Sequence, residues 1–202
     1  MLDALARPVH VGLTRTTEPS VEPVTLDDAK GWLHVGDVHE DATIDSLIRA
    51  ARQKVEDDTG LALITQTWTY DVDKRPTDNV LILPVGPVSS VTSVTSYSTA
   101  DVGSTVSTDV YRVDTTSLPA RIVLKESQSW PTDVRRQSAY RVVFVAGYGS
   151  AASSVPEPLR LAMRVLLHHW HAFRAPVSAL PVRDVPLTYD ALIAPYRLRV
   201  LW

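Results

Sequence analysis

Cysteine is absent from this chain of 202 residues. Its absence excludes a disulfide framework, a zinc site with thiolate ligands and a cysteine nucleophile. No apolar run approaches the roughly 18 residues that a membrane-spanning helix needs. The N-terminal segment also lacks a basic region followed by an apolar one, the pattern of a secretory signal. We therefore expect a soluble product that is made in the cytoplasm and has no membrane partner.

The net charge of −3 is unevenly distributed along the chain. Residues 18–60 contain eleven acidic and four basic side chains, whereas residues 156–202 contain three acidic and six basic ones. Opposite charges at the two ends favour contacts between copies of the chain. Ordinary solvated helix faces are the competing interpretation. No long basic run indicates an independent nucleic-acid-binding protein.

Two segments near opposite ends of the chain, 23–61 and 155–174, have helical apolar periodicity. The first begins a short helix at Thr25, whose hydroxyl can cap it, and continues into a longer helix over 41–59 that ends at Gly60. Each segment has an apolar face that is too wide to remain exposed to water and too small to form a core alone. We therefore expect the two segments to pack together. The apolar positions are Ile44, Leu47, Ile48, Ala51 and Val55 in the first segment, and Leu159, Ala162, Met163, Leu166, Trp170 and Phe173 in the second.

Between these segments the apolar period changes to two. Short stretches rich in Val, Thr and Tyr alternate with turn residues, which predicts five or six strands in an antiparallel meander or small sandwich. The fold class is therefore α+β: a helical body of three to four helices, formed by the N- and C-terminal parts, with an inserted antiparallel β region. We expect a flexible arm over 1–22, a discontinuous body over 23–60 and 155–195, a β insertion over 61–154 and a C-terminal tail over 196–202.

No catalytic, metal or cofactor site is predicted. Of His168, His169 and His171, only His168 and His171 share a helix face, and no acidic residue lies nearby in the sequence. This pattern is poor for zinc, which usually needs ligands on one face together with a carboxylate or a further histidine. The turn that begins at Gly147 lacks a phosphate-binding signature, and no GxSxG nucleophile elbow is present. We expect a chain that is not an enzyme and needs no cofactor.

Two surface features predict partner contacts instead. Glu56, Asp57 and Asp58 crowd the negative end of a helix dipole, which indicates a solvent-facing acidic patch or a basic partner. The C-terminal segment alternates basic and bulky residues of the types enriched at interfaces, so we expect it to dock on a partner. Packing on its own domain is the alternative. This docking segment comprises Tyr196, Arg197, Leu198, Arg199, Val200, Leu201 and Trp202.

Several stretches resemble one known family in the order in which they occur. They are PVTLDDAKGWLHV, DSLIRAARQKVEDDTG, QTWTYDVD and FVAGYGS followed by VPEPLRLAMRVLLHHW. The most telling parts are TL-x-x-AK-x-WL and the VPEPL start of the last helix. Together, from about Val24 to Phe173, the chain resembles the head–tail connector (adaptor) proteins of long-tailed bacteriophages and gene transfer agents.

The resemblance implies a structural role in a phage-like particle at the junction of head and tail. Such proteins form a ring, commonly of twelve copies, beneath the portal protein. The ring extends the DNA channel without sequence readout and receives the next connector or tail component. By this resemblance 196–202 would reach the portal. From the charge distribution we expect Glu56, Asp57 and Asp58 to meet a more basic surface of the neighbouring copy in such a ring.

A ligand-binding or hydrolytic module is the rival interpretation. The β insertion would then be a carbohydrate-binding sandwich that exposes Trp68, Tyr70, Tyr97 and Trp130, or the histidines would hold a metal for hydrolysis. Exposed aromatic residues on one face would favour the carbohydrate interpretation.

Overall fold

The computed structural model describes residues 11–73, 79–172 and 187–198, which form two compact units. A β unit draws on residues 11–18 and 66–146, and a helical unit draws on residues 19–65 and 147–198. Eight strands and four α-helices occur among the described residues. This confirms the predicted α+β fold.

The β unit contains two antiparallel sheets. A five-stranded sheet has the order β1-β2-β8-β4-β5, and a three-stranded sheet has the order β3-β7-β6. The strands are β1 (Val11–Thr17), β2 (Gln66–Val72), β3 (Val80–Ile82), β4 (Val88–Tyr97), β5 (Gly103–Thr105), β6 (Tyr111–Asp114), β7 (Arg121–Leu124) and β8 (Tyr140–Ala146). The central strand β8 alternates buried and half-buried residues, with Val142 and Phe144 fully buried. Such alternation places one face of the sheet in the core.

Strand β1 corrects the prediction of a flexible arm over 1–22. It pairs with β2 in antiparallel register, so that Leu13 lies opposite Tyr70 and Arg15 lies opposite Trp68. The guanidinium carbon of Arg15 lies 4.9 Å from the centroid of the Trp68 ring. This ring stabilises the cationic side chain of Arg15 on the inward-facing side of the strand. Because a charged residue occupies an inward position, the sequence does not show the alternation of apolar and polar residues that is typical of a strand. Residues 1–10 lie outside the described residues.

The helical unit contains α1 (Leu26–Leu33), α2 (Asp41–Thr59), α3 (Glu157–Ala172) and α4 (Leu187–Ile193). The hydroxyl of Thr25 accepts a 3.1 Å hydrogen bond from the backbone N–H of Asp28, as the capping prediction requires. Gly60 adopts the left-handed conformation at the end of α2. Both helix boundaries therefore follow from local sequence chemistry.

The two helical segments share one core. Ile44 and Ile48 of α2 and Leu159 and Leu166 of α3 are buried in a single hydrophobic cluster, to which Tyr189 of α4 also belongs. Leu47 is only partly buried at the margin of this cluster. Phe173, predicted to continue the α3 stripe, lies outside the described residues.

Residues 61–64 belong to the core of the helical unit, although the sequence suggested a β insertion from residue 61. Leu61, Leu63 and Ile64 are buried there. The turn that begins at Gly147 forms two backbone hydrogen bonds with this segment. The N–H of Tyr148 donates to the carbonyl of Leu63 at 3.3 Å, and the N–H of Thr65 donates to the carbonyl of Gly149 at 3.0 Å. These bonds join two segments of the helical unit, 61–65 and 147–149, that lie far apart in the sequence.

Candidate interaction surfaces

The sequence left open whether the acidic end of α2 forms an exposed patch or pairs with a basic group, and Glu56 is buried against a basic residue of its own helix. Glu56 is 5 % exposed. One carboxylate oxygen accepts a 2.8 Å hydrogen bond from Arg52 Nη1, and the other accepts a 3.0 Å bond from the backbone N–H of Leu63. Because this carboxylate satisfies a buried cation and a buried N–H, it is a structural group of its own unit.

Asp58 also has partners within the helical unit. Lys54 Nζ donates to its two carboxylate oxygens at 2.6 and 2.7 Å, and the Tyr189 hydroxyl donates at 2.6 Å. Burial raises the pKa of Asp58, but these hydrogen bonds outweigh it and hold that pKa below its ordinary value. Burial and the hydrogen bond to Asp58 together raise the pKa of Tyr189. Of the three predicted acidic residues, Asp57 alone is exposed.

Arg52 is the centre of a buried ionic network. Its side chain is 3 % exposed, and Nε donates a 2.9 Å hydrogen bond to Glu22. Burial raises the pKa of Glu22, while the charge of Arg52 acts in the opposite direction and only partly offsets it. Arg52 and Glu56 are four residues apart on one helix, so the spacing of this pair was visible in the sequence. Glu22 was not predicted to join them.

The first three residues of the predicted docking segment contact their own unit. The N–H of Leu198 donates a 2.7 Å hydrogen bond to the carbonyl of Thr59, and Tyr196 and Leu198 pack against the helical core. Arg197 pairs with Asp190 at 2.8 Å. The alternative of packing on the same domain therefore holds for residues 196–198. Arg199, Val200, Leu201 and Trp202 lie outside the described residues.

The three histidines of α3 have separate environments. His171 Nε2 lies 3.0 Å from a carboxylate oxygen of Glu40, whereas His168 is exposed. In the described part of the chain, no group of three or more His, Asp or Glu side chains is arranged to hold a metal ion.

Among the described residues of the β unit, the aromatic side chains do not form an exposed sugar-binding platform. Trp130 is 2 % exposed, and its ring stacks on Tyr111 at 6.3 Å and meets Tyr140 edge-on at 5.8 Å. Tyr70 is buried as well. Tyr97 lies beneath the guanidinium of Arg135 at 4.2 Å. These aromatic side chains stabilise the β unit and its ion pairs.

A surface groove of about 710 Å³ lies between the end of α1 and the second half of α3. The indole of Trp32 forms part of its wall, although Trp32 is 43 % exposed. The Arg164 guanidinium lies 5.9 Å from the Trp32 ring centroid. The sequence pattern did not single out Trp32 as a surface residue. The groove is lined by Gly31, Trp32, His34, Val165, His168, His169 and Ala172.

None of the described helices is both long and apolar enough to cross a membrane. A comparison of the sequence with curated proteins finds no significant match.

Similar folds occur among solved structures of gene transfer agent (GTA) particles. A chain of the virion of a native particle and a chain of the neck of an empty particle, computed with C6 symmetry, each superpose with a TM-score of 0.77. A chain of the neck of a native particle, computed with C12 symmetry, has a TM-score of 0.74. In all three, identity is 24 %, and the match covers 94 % of this chain and 97 % of the other. At this identity the likeness shows the fold.

The family is shown by the sequence itself. The head completion protein (HCP) family matches residues 22–176, a range that includes α1, α2, the strands β2 to β8 and α3. The match therefore spans both helical segments and the β region between them. The chain belongs to the head completion protein family, which confirms the head–tail connector identity predicted from its sequence motifs.

Proposed function

We propose that this connector acts as a homo-oligomeric ring that docks beneath the portal protein and carries the next connector or tail component. The family match over 22–176 is the observation that carries the structural role at the head–tail junction. The ring is supported by the similar fold of chains in GTA necks that were computed with C6 and C12 symmetry. Portal binding rests on the resemblance of the motifs.

The proposed role is structural and not enzymatic. The ionisable groups with altered pKa values serve the fold: Asp58 binds Lys54 and Tyr189, and Glu22 binds Arg52. DNA would pass through the lumen of the ring, and contacts to its phosphates alone would carry no sequence information. Asp57 remains the exposed acidic residue of α2 that a basic surface of a neighbouring copy can meet.

Deletion of the gene in a strain that produces the particle tests this function. We expect capsids that package DNA but carry no tail, and we expect plasmid-borne wild-type protein to restore joined particles. Electron microscopy of negatively stained particles counts the two forms. Tailed particles at wild-type frequency in the deletion strain would exclude the connector role.

A truncation after Leu198 tests the portal-docking part separately. It removes residues 199–202 and keeps the contacts of Tyr196 and Leu198 with the helical core. We expect a folded protein that no longer joins portal-bearing capsids, measured by co-sedimentation. Unchanged co-sedimentation would remove residues 199–202 from the docking site and leave the connector role intact.

A further inference from the structure

The five-stranded sheet of the β unit has two exposed edges. At one side, β1 (Val11–Thr17) pairs with β2, and no strand among the described residues lies on its other side. At the opposite side, β5 covers only Thr95–Tyr97 of β4, and the N–H of Val106 donates to the carbonyl of Val94 at 2.8 Å. The first part of β4, residues 88–93, therefore has no strand beside it there in the described chain. We call these two segments the β1 edge and the β4 edge; the backbone of such an edge can pair with a further strand.

Neither edge carries the prolines or the exposed charges that usually block pairing with another molecule. The β1 edge has the sequence VGLTRTT, and the β4 edge has the sequence VSSVTS. Arg15 is the single charged residue in the two edges, and it lies on the core-facing side over Trp68. Most residues of the β1 edge are exposed, as are Ser89, Ser90 and Thr92 of the β4 edge. Both edges are therefore open to a strand of another molecule.

The strand directions allow the sheet of one copy to continue into the sheet of the next. Each neighbouring pair in the order β1-β2-β8-β4 is antiparallel, so β1 and β4 run in opposite directions. A rotation that preserves strand direction therefore brings the β1 edge of one copy to the β4 edge of its neighbour in antiparallel sense. In a ring of twelve, which the family resemblance implies, this rotation is about 30°. Adjacent strands already differ by about 20–25°, and two bulges in β4 increase its local twist.

The side chains on the two edges also match face by face. Leu13 lies on the core-facing side of β1, yet it is 37 % exposed. Val91 lies on the same side of β4 and is half-buried. A continued sheet brings these two apolar side chains together. On its outer face the same pairing places Thr14 near Ser90 or Ser93, and Thr and Ser are favourable neighbours across strands.

We infer that the β1 edge pairs in antiparallel sense with the β4 edge of a second copy of this chain, so that the five-stranded sheets join from copy to copy around the ring. The contact is head-to-tail because it uses two different edges, and such contacts close into rings when the rotation permits. Backbone hydrogen bonds supply the affinity, and the contact of Leu13 with Val91 selects the face. The inference rests on the proposed ring function and names the surfaces that build it.

Disulfide formation in assembled particles tests this contact, because the natural chain has no cysteine. Two double variants combine Thr14→Cys with Ser90→Cys or with Ser93→Cys, all on the outer face. Within one copy, β2 and β8 separate β1 from β4 by about 14 Å. A disulfide requires Cα atoms within about 7 Å, so any disulfide joins two copies. On oxidation, at least one double variant should give a ladder of multimers on a non-reducing gel, and each single variant should give monomers.

The matched control combines Thr14→Cys with Val91→Cys, whose side chains lie on opposite faces of the sheet. This control should give monomers, and a ladder from it would overturn the inference. Monomers from both test variants, in particles that contain the protein, would exclude the contact. Dimers from Thr14→Cys alone would show a twofold contact between β1 edges. A disulfide between Thr14→Cys and Leu201→Cys would show that the C-terminal segment occupies the β1 edge instead.

The wild-type protein separates failure of this interface from failure of the proposed function. Its absence from purified particles would refute the proposed function. Its presence in particles whose test variants form no disulfide would refute only the contact between the β1 and β4 edges.

A charge placed on the β1 edge gives a second test. Leu13→Lys should reduce the yield of tailed particles about tenfold or more, because its ammonium would lie without a partner on the core-facing side of the joined strands. Ile82→Lys is the matched control, since Ile82 is also 37 % exposed and lies in β3, an edge strand of the other sheet. It should leave the yield unchanged. A folded Leu13→Lys variant with normal yield, or an equal loss in both variants, would exclude the β1 edge as a ring contact.

Discussion

The hydroxyl of Tyr189 donates a 2.6 Å hydrogen bond to Asp58, a residue 131 positions earlier in the chain. Tyr189 is 1 % exposed within the helical core. The bond therefore fastens the short helix α4 to the end of α2. It also uses a carboxylate that the sequence suggested was available for a partner.

Tyr189→Phe should lower the free energy of unfolding of the helical unit by about 1–2 kcal/mol. The substitution removes a hydrogen bond to a charged group and keeps the aromatic ring. Because Tyr189 helps to hold the pKa of Asp58 low, that pKa should rise in the variant. Urea denaturation measures the first effect, and NMR titration of the Asp58 carboxyl measures the second.

The matched control for this variant is Tyr111→Phe. Tyr111 is also buried, but its hydroxyl has no hydrogen-bond partner within the described part of the chain. Its removal should change the stability by less than about 0.5 kcal/mol. Equal effects of the two substitutions would mean that the bond to Asp58 contributes nothing.

Glu22 should make the helical unit less stable as the pH rises. Its folded-state pKa lies above the ordinary value of 4.5 because of burial. The folded state therefore binds more protons than the unfolded state between these two pKa values, and the contribution of this group falls as the pH rises through that window. Relative to Glu22→Gln, the wild type should have its most favourable unfolding free energy below pH 4.5. Denaturation of both proteins across this range measures the difference.

Asp58→Asn should show the opposite trend. The folded-state pKa of Asp58 lies below its ordinary value of 3.8, so this carboxylate stabilises the fold above that pH and loses its contribution as the pH falls through the lowered pKa. The stability difference between wild type and this variant should therefore grow as the pH rises. Trends in the same direction for Glu22→Gln and Asp58→Asn would contradict one of the two assignments, and the direction would show which.

Apolar periodicity located α2 and four of the five core positions predicted on it. The pattern gave Leu47 the same weight as Ile44 and Ile48, whereas Leu47 is only partly buried. Arg52 and Glu56 occupy part of the buried face instead. A hydrophobicity pattern assigns every charged residue to the solvent-facing side. Only the structure shows that Arg52 and Glu56 pair with each other and can therefore both be buried. The same limitation hid β1, where Arg15 faces inward over Trp68.

The sequence predicted more of the fold than of the candidate site. Capping chemistry and periodicity identify the capped start of α1 and the apolar faces of α2 and α3, and the motifs identify the connector class; all of these depend on residues close in sequence. The groove joins Trp32 to Val165 and Ala172, which lie more than a hundred residues later. Which turn of α3 meets the end of α1 depends on packing, and no local pattern specifies it.

Leu166→Ala should destabilise the helical unit far more than Leu47→Ala. Leu166 is fully buried, so truncation leaves a cavity and costs about 2–5 kcal/mol. Leu47 lies at the margin of the core, where solvent can fill the vacated space, and should cost less than half as much. Thermal and urea denaturation compare the two variants. Similar losses for both would show that α2 buries Leu47 as deeply as its periodicity suggested.

Gly147→Ala should destabilise the junction of segments 61–65 and 147–149 within the helical unit by about 3 kcal/mol or more. Gly147 has a φ of +138°, which L-residues rarely adopt, and an added Cβ would lie 2.5 Å from the backbone carbon of Ile64 and from the backbone nitrogen of Thr65. Both neighbours are main-chain atoms, so relief requires the buried segment over 61–64 to move. Gly36→Ala is the control: no atom lies within 4 Å of its added Cβ, and its φ lies outside that unusual range. This control should leave stability unchanged or raise it by about 0.4–1 kcal/mol. Hydrogen exchange at the N–H of Thr65 and Tyr148 should accelerate in Gly147→Ala alone, and equal exchange rates in the two variants would show that the close approach at Gly147 does not hold this junction together.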